Sequence, residues 1–257
     1  MRIALLSDVH ANLPALESVL ADIGHRDTQV TYHVGDLVGY APWPNETVDL
    51  LSEHGVYGVS GNYDSTVGFS YRHCGCQYQD PVQRDQAHES FVWTCASTTD
   101  RVKAVLRALP FRLDVRVRGG HAAGPKLVLV HGAPTLNTLY WREDRSDEFC
   151  LQMASAAGLH TGDLIAFGHT HLPWHRVVEG IHFLNTGSVG RPKDGDWRAG
   201  YVVVEYRGDT GWRPEFARVE YDIARSRQAI LESTLPHAFA DYLSSGGGPV
   251  PALPASS

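Results

Sequence analysis

A chain of 257 residues with 43% hydrophobic content is long enough to bury a sizeable core in one large α/β domain. Its formal net charge of −7 excludes a globally basic surface of the kind that condenses onto a nucleic-acid backbone, and no run approaches the ~20 apolar residues of a membrane-spanning helix. Cys74, Cys76, Cys95 and Cys150 fall short of the dense framework of a secreted mini-domain, so free thiols are expected.

Residues 2–7 form a continuous apolar run that starts beside Met1 without a basic and apolar leader, as expected of a strand buried on both faces in a cytoplasmic protein. The run ends in Asp8-Val9-His10. Asn12 then caps a helix in which Leu13, Leu16, Val19, Leu20 and Ile23 recur at helical spacing, with Pro14 in the first turn and Gly24 at the exit. Residues 29–34 are the next strand and deliver Gly35-Asp36. A turn-rich Tyr40-Ala41-Pro42-Trp43-Pro44-Asn45 segment leads into a helix over about 46–54, and the strand 56–60 delivers Gly61-Asn62-Tyr63-Asp64. Residues 65–81 show no clear period, whereas 83–96 and 101–109 read as two helices closing at Pro110. Their apolar positions are few for helices sunk in a core, so 65–110 is expected to be a helical insertion beside the site.

The second half reads as antiparallel-rich. Residues 111–118 and 126–130 form a β-pair around a loop over 119–125, and the pair ends in His131-Gly132. A helix over 147–157 precedes the strand 164–167, which delivers Gly168-His169-Thr170-His171. Residues 174–178 and 182–184 form a hairpin, 201–206 and 214–219 continue the sheet, and 223–231 is a closing helix. A single domain over 1–243 is expected, followed by a flexible Ser/Gly/Pro-rich tail over 244–257.

In an open α/β sheet, ligands bind outside the carboxyl ends of the strands, so five strand-end loops converge on one crevice. The converged set is Asp8, His10, Asp36, Asn62, His131, His169 and His171. This mixture of imidazole, carboxylate and amide oxygen suits Mn²⁺, Fe²⁺ or Zn²⁺ better than Ca²⁺ or a thiolate-seeking metal. Seven ligands exceed the needs of one tetrahedral ion. With one carboxylate bridging, they hold two ions about 3.5–4 Å apart, the arrangement that hydrolyses phosphate esters.

In order, Asp8/His10, Gly35 to Gly39, Gly61 to Asp64, His131/Gly132 and Gly168 to His171 resemble the signature of the calcineurin-like metallophosphoesterases. Asp36-Leu37-Val38-Gly39-Tyr40 and Asn185-Thr186-Gly187-Ser188-Val189-Gly190 are similar to phrases of the small bacterial and archaeal phosphoesterases grouped with diadenosine tetraphosphatases. The resemblance runs from residue 2 to about residue 230. It implies a four-layer α/β/β/α sandwich of two mixed sheets flanked by helices, with the metals at one edge. It also implies two divalent ions, Mn²⁺ foremost and Fe²⁺, Zn²⁺, Ni²⁺ or Co²⁺ as alternatives. Asp8, His10 and His171 would take one ion and Asn62, His131 and His169 the other, with Asp36 bridging. The implied reaction is attack of a bimetal-bound hydroxide on a phosphate ester, with phosphodiesters or nucleotides foremost among substrates. A protein Ser/Thr phosphatase is the enzymatic alternative, and a metal-retaining nucleotide-binding module the non-catalytic one. No membrane partner and no bulk nucleic-acid binding are expected.

One residue departs from the family pattern. Most members carry His after Gly-Asn, where it is read as a general acid or phosphate-binding imidazole, and this chain carries Tyr63. Tyr63 is either a hydrogen-bond donor in catalysis or a spacer. A phenol of ordinary pKa near 10 is a poor proton donor at neutral pH, so the spacer is preferred, together with esters of acidic leaving groups. Asp64 is expected to orient its neighbours. Asn12 is read as the helix cap with a further part toward substrate. Arg191 either presents its fork to a substrate phosphate or makes a surface ion pair. By the resemblance, Asn185, Gly187 and Ser188 belong to a loop that buttresses the metals. Tyr40, Trp43 and Tyr71 are candidate aromatic walls for a nucleotide. His73-Cys74-Gly75-Cys76 lacks the distant partner ligands of a structural zinc and reads as an ordinary loop.

Overall fold

Along β1 (Arg2–Leu6) the side chains alternate between two cores, Ile3 and Leu5 facing one and Ala4 and Leu6 the other. The computed structural model describes residues 1–78, 80–117, 124–208 and 211–247. Within them β1 is the centre of a five-stranded sheet. Parallel to it on one side run β2 (Val30–His33) and then β3 (Tyr57–Gly58). A second sheet contains β4 (Leu113–Arg116), β5 (Lys126–Leu129), β6 (Leu164–Phe167), β7 (Trp174–Val178) and β8 (Ile181–Asn185) in the order β4-β5-β6-β8-β7. The first sheet is completed antiparallel by β9 (Ala199–Tyr206) and β10 (Trp212–Val219), giving β10-β9-β1-β2-β3.

The sheets pack face to face. Ile3, Leu5, Val202 and Val204 of the first meet Leu127, Leu129, Leu164, Ala166 and Leu184 of the second in a fully apolar middle layer. Outside the first sheet lie α1 (Leu13–Ile23), α2 (Pro44–Glu53), α3 (Asn62–Gly68), α4 (Pro81–Ser97) and α5 (Asp100–Ala108). Outside the second, Cys150 and Ala154 of α6 (Asp147–Ala157) pack with Trp141 on Val128, Ile165 and Phe167. The C-terminal α7 (Ile223–Glu232) and α8 (Ala238–Ser245) return to the first sheet. The result is an α/β/β/α sandwich, as the family resemblance implies.

Several boundaries differ from expectation. Helix α3 begins at Asn62 itself, inside a stretch without periodicity, because the carboxylate of Asp64 accepts from Gly61 N and caps its own helix. Helix α2 begins two residues early, with Pro44 supplying the preset φ of a first helical turn. Residues 65–110 contribute Val67, Phe91, Val102 and Leu106 to the core over the first sheet and Cys76 and Tyr78 to a surface cleft. The expected tail starts too soon at 244: Ser244 and Ser245 finish α8, anchored by Phe239 and Leu243, and Gly246 closes it at φ 60°. Residue 118 of the expected strand, 119–123 of the expected loop and 248–257 of the tail lie outside the described residues. Among the described residues no helix is long and apolar enough to cross a membrane.

Three parallel strands in each sheet, β1, β2 and β3 in one and β5, β6 and β8 in the other, point their carboxyl ends toward the same edge of the sandwich. Every loop nominated for metal binding leaves from one of these ends.

Candidate metal centre

The loops at this edge are bent tightly enough to force unusual backbone. Asp8 (φ 51°), His10 (48°), Asp36 (56°), His169 (66°) and His171 (61°) all adopt left-handed conformation, which costs a non-glycine residue about 1–3 kcal/mol. Bonds between loops hold them there: Asp8 N donates to Gly35 O (2.9 Å), His10 N to Asp36 O (3.0 Å), Gly168 N to His131 O (2.9 Å) and Gly190 N to Asp8 O (3.0 Å). Two glycines permit the close approach. A Cβ on Gly61 would strike the backbone and carboxylate of Asp36, and one on Gly168 would strike Ser7 Oγ and Asp8 Oδ2.

Two ligand groups result, Asp8/His10/His171 and Asp36/His131/His169, each with ligand atoms within 4.8 Å of one another and all six residues buried. Asp8 Oδ1 lies 3.1 Å from His171 Nε2 and 3.6 Å from His10 Nε2. Asp36 Oδ2 stands between the groups, 3.4 Å from His131 Nε2 and 3.8 Å from His10 Nε2. Asn62 joins the second group, its Oδ1 3.1 Å from His131 Nε2, while its Nδ2 donates to Cys74 O (3.0 Å) and Cys76 Sγ (3.3 Å). Those two acceptors turn the amide oxygen toward the centre.

The ring tautomers follow from the outer bonds. His10 Nδ1–H donates to Val38 O (3.1 Å), His131 Nδ1–H to Val34 O (2.8 Å) and His171 Nδ1–H to Arg191 O (2.5 Å). A carbonyl only accepts, so each Nδ1 carries a proton and each ring turns its Nε2 inward. His10 Nε2 and His171 Nε2 then face each other at 3.1 Å. Asp8 Oδ1 and His169 Nε2 are buried without a hydrogen-bond partner among the described residues. Lone pairs converging on one another with no donor between them fit divalent cations, and the nitrogen and oxygen donor set fits Mn²⁺, Fe²⁺ or Zn²⁺.

Charge points the same way. Burial opposes ionisation of Asp8, yet the facing His171 and His10 hold its carboxyl well below the usual carboxylate range. Burial also opposes ionisation of Asp36, and His131 holds it down. Burial lowers His131 while Asp36 raises it, the net being a rise to about 9. Burial depresses His169 to about 4 and His171 to about 3. Two buried carboxylates therefore face rings of which His169 and His171 are neutral at pH 7, a deficit of positive charge that divalent ions make good.

Supporting side chains hold these ligands in place. Asp64 accepts from Asp36 N (2.8 Å), Leu37 N (2.8 Å) and Gly61 N (2.9 Å), locking the Asp36 loop. Burial and the Asp36 charge push its carboxyl up to about 7 against the pull of the backbone N–H groups. Asn185 Nδ2 donates to Gly168 O (2.8 Å) and Thr170 Oγ1 (3.0 Å), and Ser188 Oγ donates to Asp8 O (2.8 Å). Ser7, absent from the expected set, donates through Oγ to Asp8 Oδ2, which also accepts from His169 N (3.0 Å). Its only sequence signal is adjacency to Asp8.

Other nominated residues land elsewhere. Asn12 is fully buried and caps α1 as expected, its Oδ1 accepting from Ala15 N (3.5 Å) and Ser226 Oγ (2.8 Å) while its Nδ2 donates to Gly190 O (2.9 Å) and Tyr221 Oη (3.3 Å), so it also tethers α7 and the Ser188 loop. The Tyr63 ring sits in the core among His10, Tyr40 and Phe91, and its hydroxyl is buried beside the Cys74 thiol without a well-aligned partner. Burial and neighbouring phenols raise that hydroxyl well above its ordinary pKa. Arg191 makes no surface ion pair among the described residues; it stacks 4.0 Å over the Tyr40 ring and lines a cleft of about 1200 Å³. The aromatic walls are not those expected. Tyr40 is buried beneath Arg191, Trp43 lies under Arg225, and Tyr71 is 59% exposed against Phe69. Tyr78, Tyr140 and Tyr242 line the cleft instead. His73, Cys74 and Cys76 form no ligand cluster among the described residues, and all four cysteines are free.

A sequence model described as a calcineurin-like phosphoesterase superfamily domain matches residues 1–209. The chain is 30% identical over 258 residues to the protein MJ0912 of Methanocaldococcus jannaschii, spanning 94% of this chain and 96% of that one. It is 25% identical over 206 residues to the phosphodiesterase YfcE of Escherichia coli, spanning 76% and 83%. Among solved structures, a metallophosphoesterase from Sphaerobacter thermophilus superposes with a TM-score of 0.72 at 29% identity, over 96% of this chain and 99% of that chain.

Proposed function

The chain belongs to the calcineurin-like phosphoesterase superfamily, and on that premise we propose that it hydrolyses phosphate esters, phosphodiesters or nucleotides foremost, with two divalent ions held by Asp8, His10, Asp36, Asn62, His131, His169 and His171. The observation that carries this reading is the position of Asp36 Oδ2, shared between His10 of one ligand group and His131 of the other. When bound, a pair of divalent ions supplies an activated water and positive charge against the phosphoryl oxygens.

The chain's own residues do the positioning. Asp36 spans the two groups, Asn62 is aimed by the Cys74 carbonyl, and Asp64 holds the Asp36 loop through three backbone N–H groups. Tyr63 acts as a spacer: its ring is enclosed in the core and does not line the cleft, so it does not stand in for the imidazole usual at this position. A leaving group must then depart without a strong proton donor, which favours esters of acidic alcohols.

The test is hydrolysis of bis(p-nitrophenyl) phosphate beside p-nitrophenyl phosphate, on protein stripped of metal and titrated with Mn²⁺, with Asp36→Asn as control. Metal-dependent diester turnover, reduced at least about 10³-fold in Asp36→Asn, is the expected result. Binding of two ions without turnover of either ester would replace this reading with the non-catalytic nucleotide-binding module.

A further inference from the structure

The cleft outside the metal centre is far larger than a phosphoryl group needs, and its charge differs from the rest of the surface. Its lining residues touch the centre. Tyr140 lies tilted 4.5 Å from the His169 ring, Cys76 accepts from Asn62, and the Arg191 carbonyl accepts from His171, so the lining contacts both ligand groups. Most arginines elsewhere on this acidic chain are ion-paired, as Arg26 with Asp22 and Glu215, Arg176 with Asp147, and Arg218 with Asp194. Within the cleft, among the described residues, Arg142, Arg145, Arg191 and Lys193 have no carboxylate partner, although Asp80 and Asp144 share the lining.

Arg191 is the most constrained of the four. Its guanidinium is held over Tyr40 at 4.0 Å, with Phe239 at 5.4 Å and Tyr242 at 5.9 Å, and Nη1 is buried without an acceptor. A guanidinium fixed on aromatic faces with an unspent N–H is pre-organised for an oxyanion. Tyr40 in turn packs edge-on against His10 at 4.8 Å, so the fork sits one ring away from the Asp8/His10/His171 group. The loop that carries the exposed Arg142 and Arg145 side chains is also tied down, because Arg176 donates to the carbonyls of Glu143 (2.5 Å) and Arg145 (2.6 Å).

We propose that Arg191 and Lys193, with Arg142 and Arg145 in the same cleft, form a second phosphate subsite, and that the enzyme selects esters carrying another phosphate group beyond the scissile one. The inference rests on the phosphoesterase reading above. The ligand chemistry is a second phosphate within one nucleotide's reach of the first, as in a nucleoside bisphosphate.

Two chromogenic esters that differ by one group provide the test: thymidine 5′-(p-nitrophenyl phosphate) with and without a 3′-phosphate, on the full-length Mn²⁺-loaded protein. The 3′-phosphate is expected to raise kcat/KM by about ten-fold or more, the factor that one charge-assisted hydrogen bond brings, mainly through KM. Lys193→Gln and Arg191→Gln should each bring the ratio between the two esters toward one, and Arg213→Gln, an exposed cation on β10, should leave it. Because the ratio is taken within each variant, losses of fold or metal cancel. Turnover of both esters with a parent ratio of one overturns the subsite while the phosphoesterase reading stands. If neither ester turns over, that reading falls, and the subsite is judged by calorimetric binding of thymidine 3′,5′-bisphosphate against thymidine 5′-phosphate, equal affinities overturning it.

Discussion

The metal centre and the cleft outside it are neighbours built on opposite plans. Each ligand in the centre is buried, five of them sit in left-handed backbone, and the supporting contacts are bonds from side chains and from the backbone of one loop to the backbone of another. The cleft is lined mostly by long exposed or half-exposed side chains, its cations have few partners, and most of its residues come from connections between elements, with Gln83 and Arg84 from α4 and Tyr242 from α8. The centre thus has its geometry specified many times over, as a site must when it holds ions at fixed separation. The cleft can change residue by residue without disturbing the sheets, which is where a scaffold of this kind adapts to a substrate.

The largest expected difference between the two regions is sensitivity to acid. His33, on the strand that leads to Asp36, is buried, and burial depresses it to about 3. Its unfolded-state value is ordinary, so the unfolded chain binds the extra proton between these limits. The native state keeps its full advantage above pH ~6.5 and loses it as pH falls toward 3, at up to about 1.4 kcal/mol per pH unit. Chemical denaturation of the parent and His33→Phe from pH 7 to pH 4 should show a shallower loss in the variant. Parallel curves would mean that the ring is not held neutral.

A smaller break targets the support of the centre alone. Asp64→Asn turns an NH₂ group onto backbone N–H donors that now share a carboxylate, and its apparent Mn²⁺ affinity should fall about 10–100-fold with the fold retained. Calorimetric titration with Mn²⁺ measures this directly, and an unchanged affinity would show that the Asp36 loop holds itself. The smallest effect is expected at Tyr63→Phe. Removing a buried hydroxyl with no aligned partner should keep diester turnover within about two-fold and leave stability equal or slightly higher. A hundred-fold loss of turnover would return the phenol to a catalytic role.

Nearly all of the framework was legible in the chain. The runs that became β2, β3, β5 and β6 each end in a Gly-flanked ligand motif, and helix α6 has the bounds its period suggests. Helix α3 was hidden because ligand residues fill its first turn and leave no apolar rhythm, and α8 because Ser and Gly flank its four apolar anchors. Asn12 and Arg191 show the limit on single residues. Composition could not tell which amide would be consumed by Gly190, Tyr221 and Ser226, or that Arg191 would find three aromatic rings in place of a carboxylate.

What the sequence determined by itself was the family, the order of the strands' ligand-bearing ends and the chemical types of the ligands, because these depend on residues close together in the chain. What only the tertiary structure decided was the inward aim of the Nε2 atoms, the interlocking loops that fix the two ligand groups and the cations left unpaired outside them. Those properties come from contacts across as many as 180 positions, such as Ser188 on Asp8, and the packing of two sheets, not local propensity, brings such residues within hydrogen-bond reach.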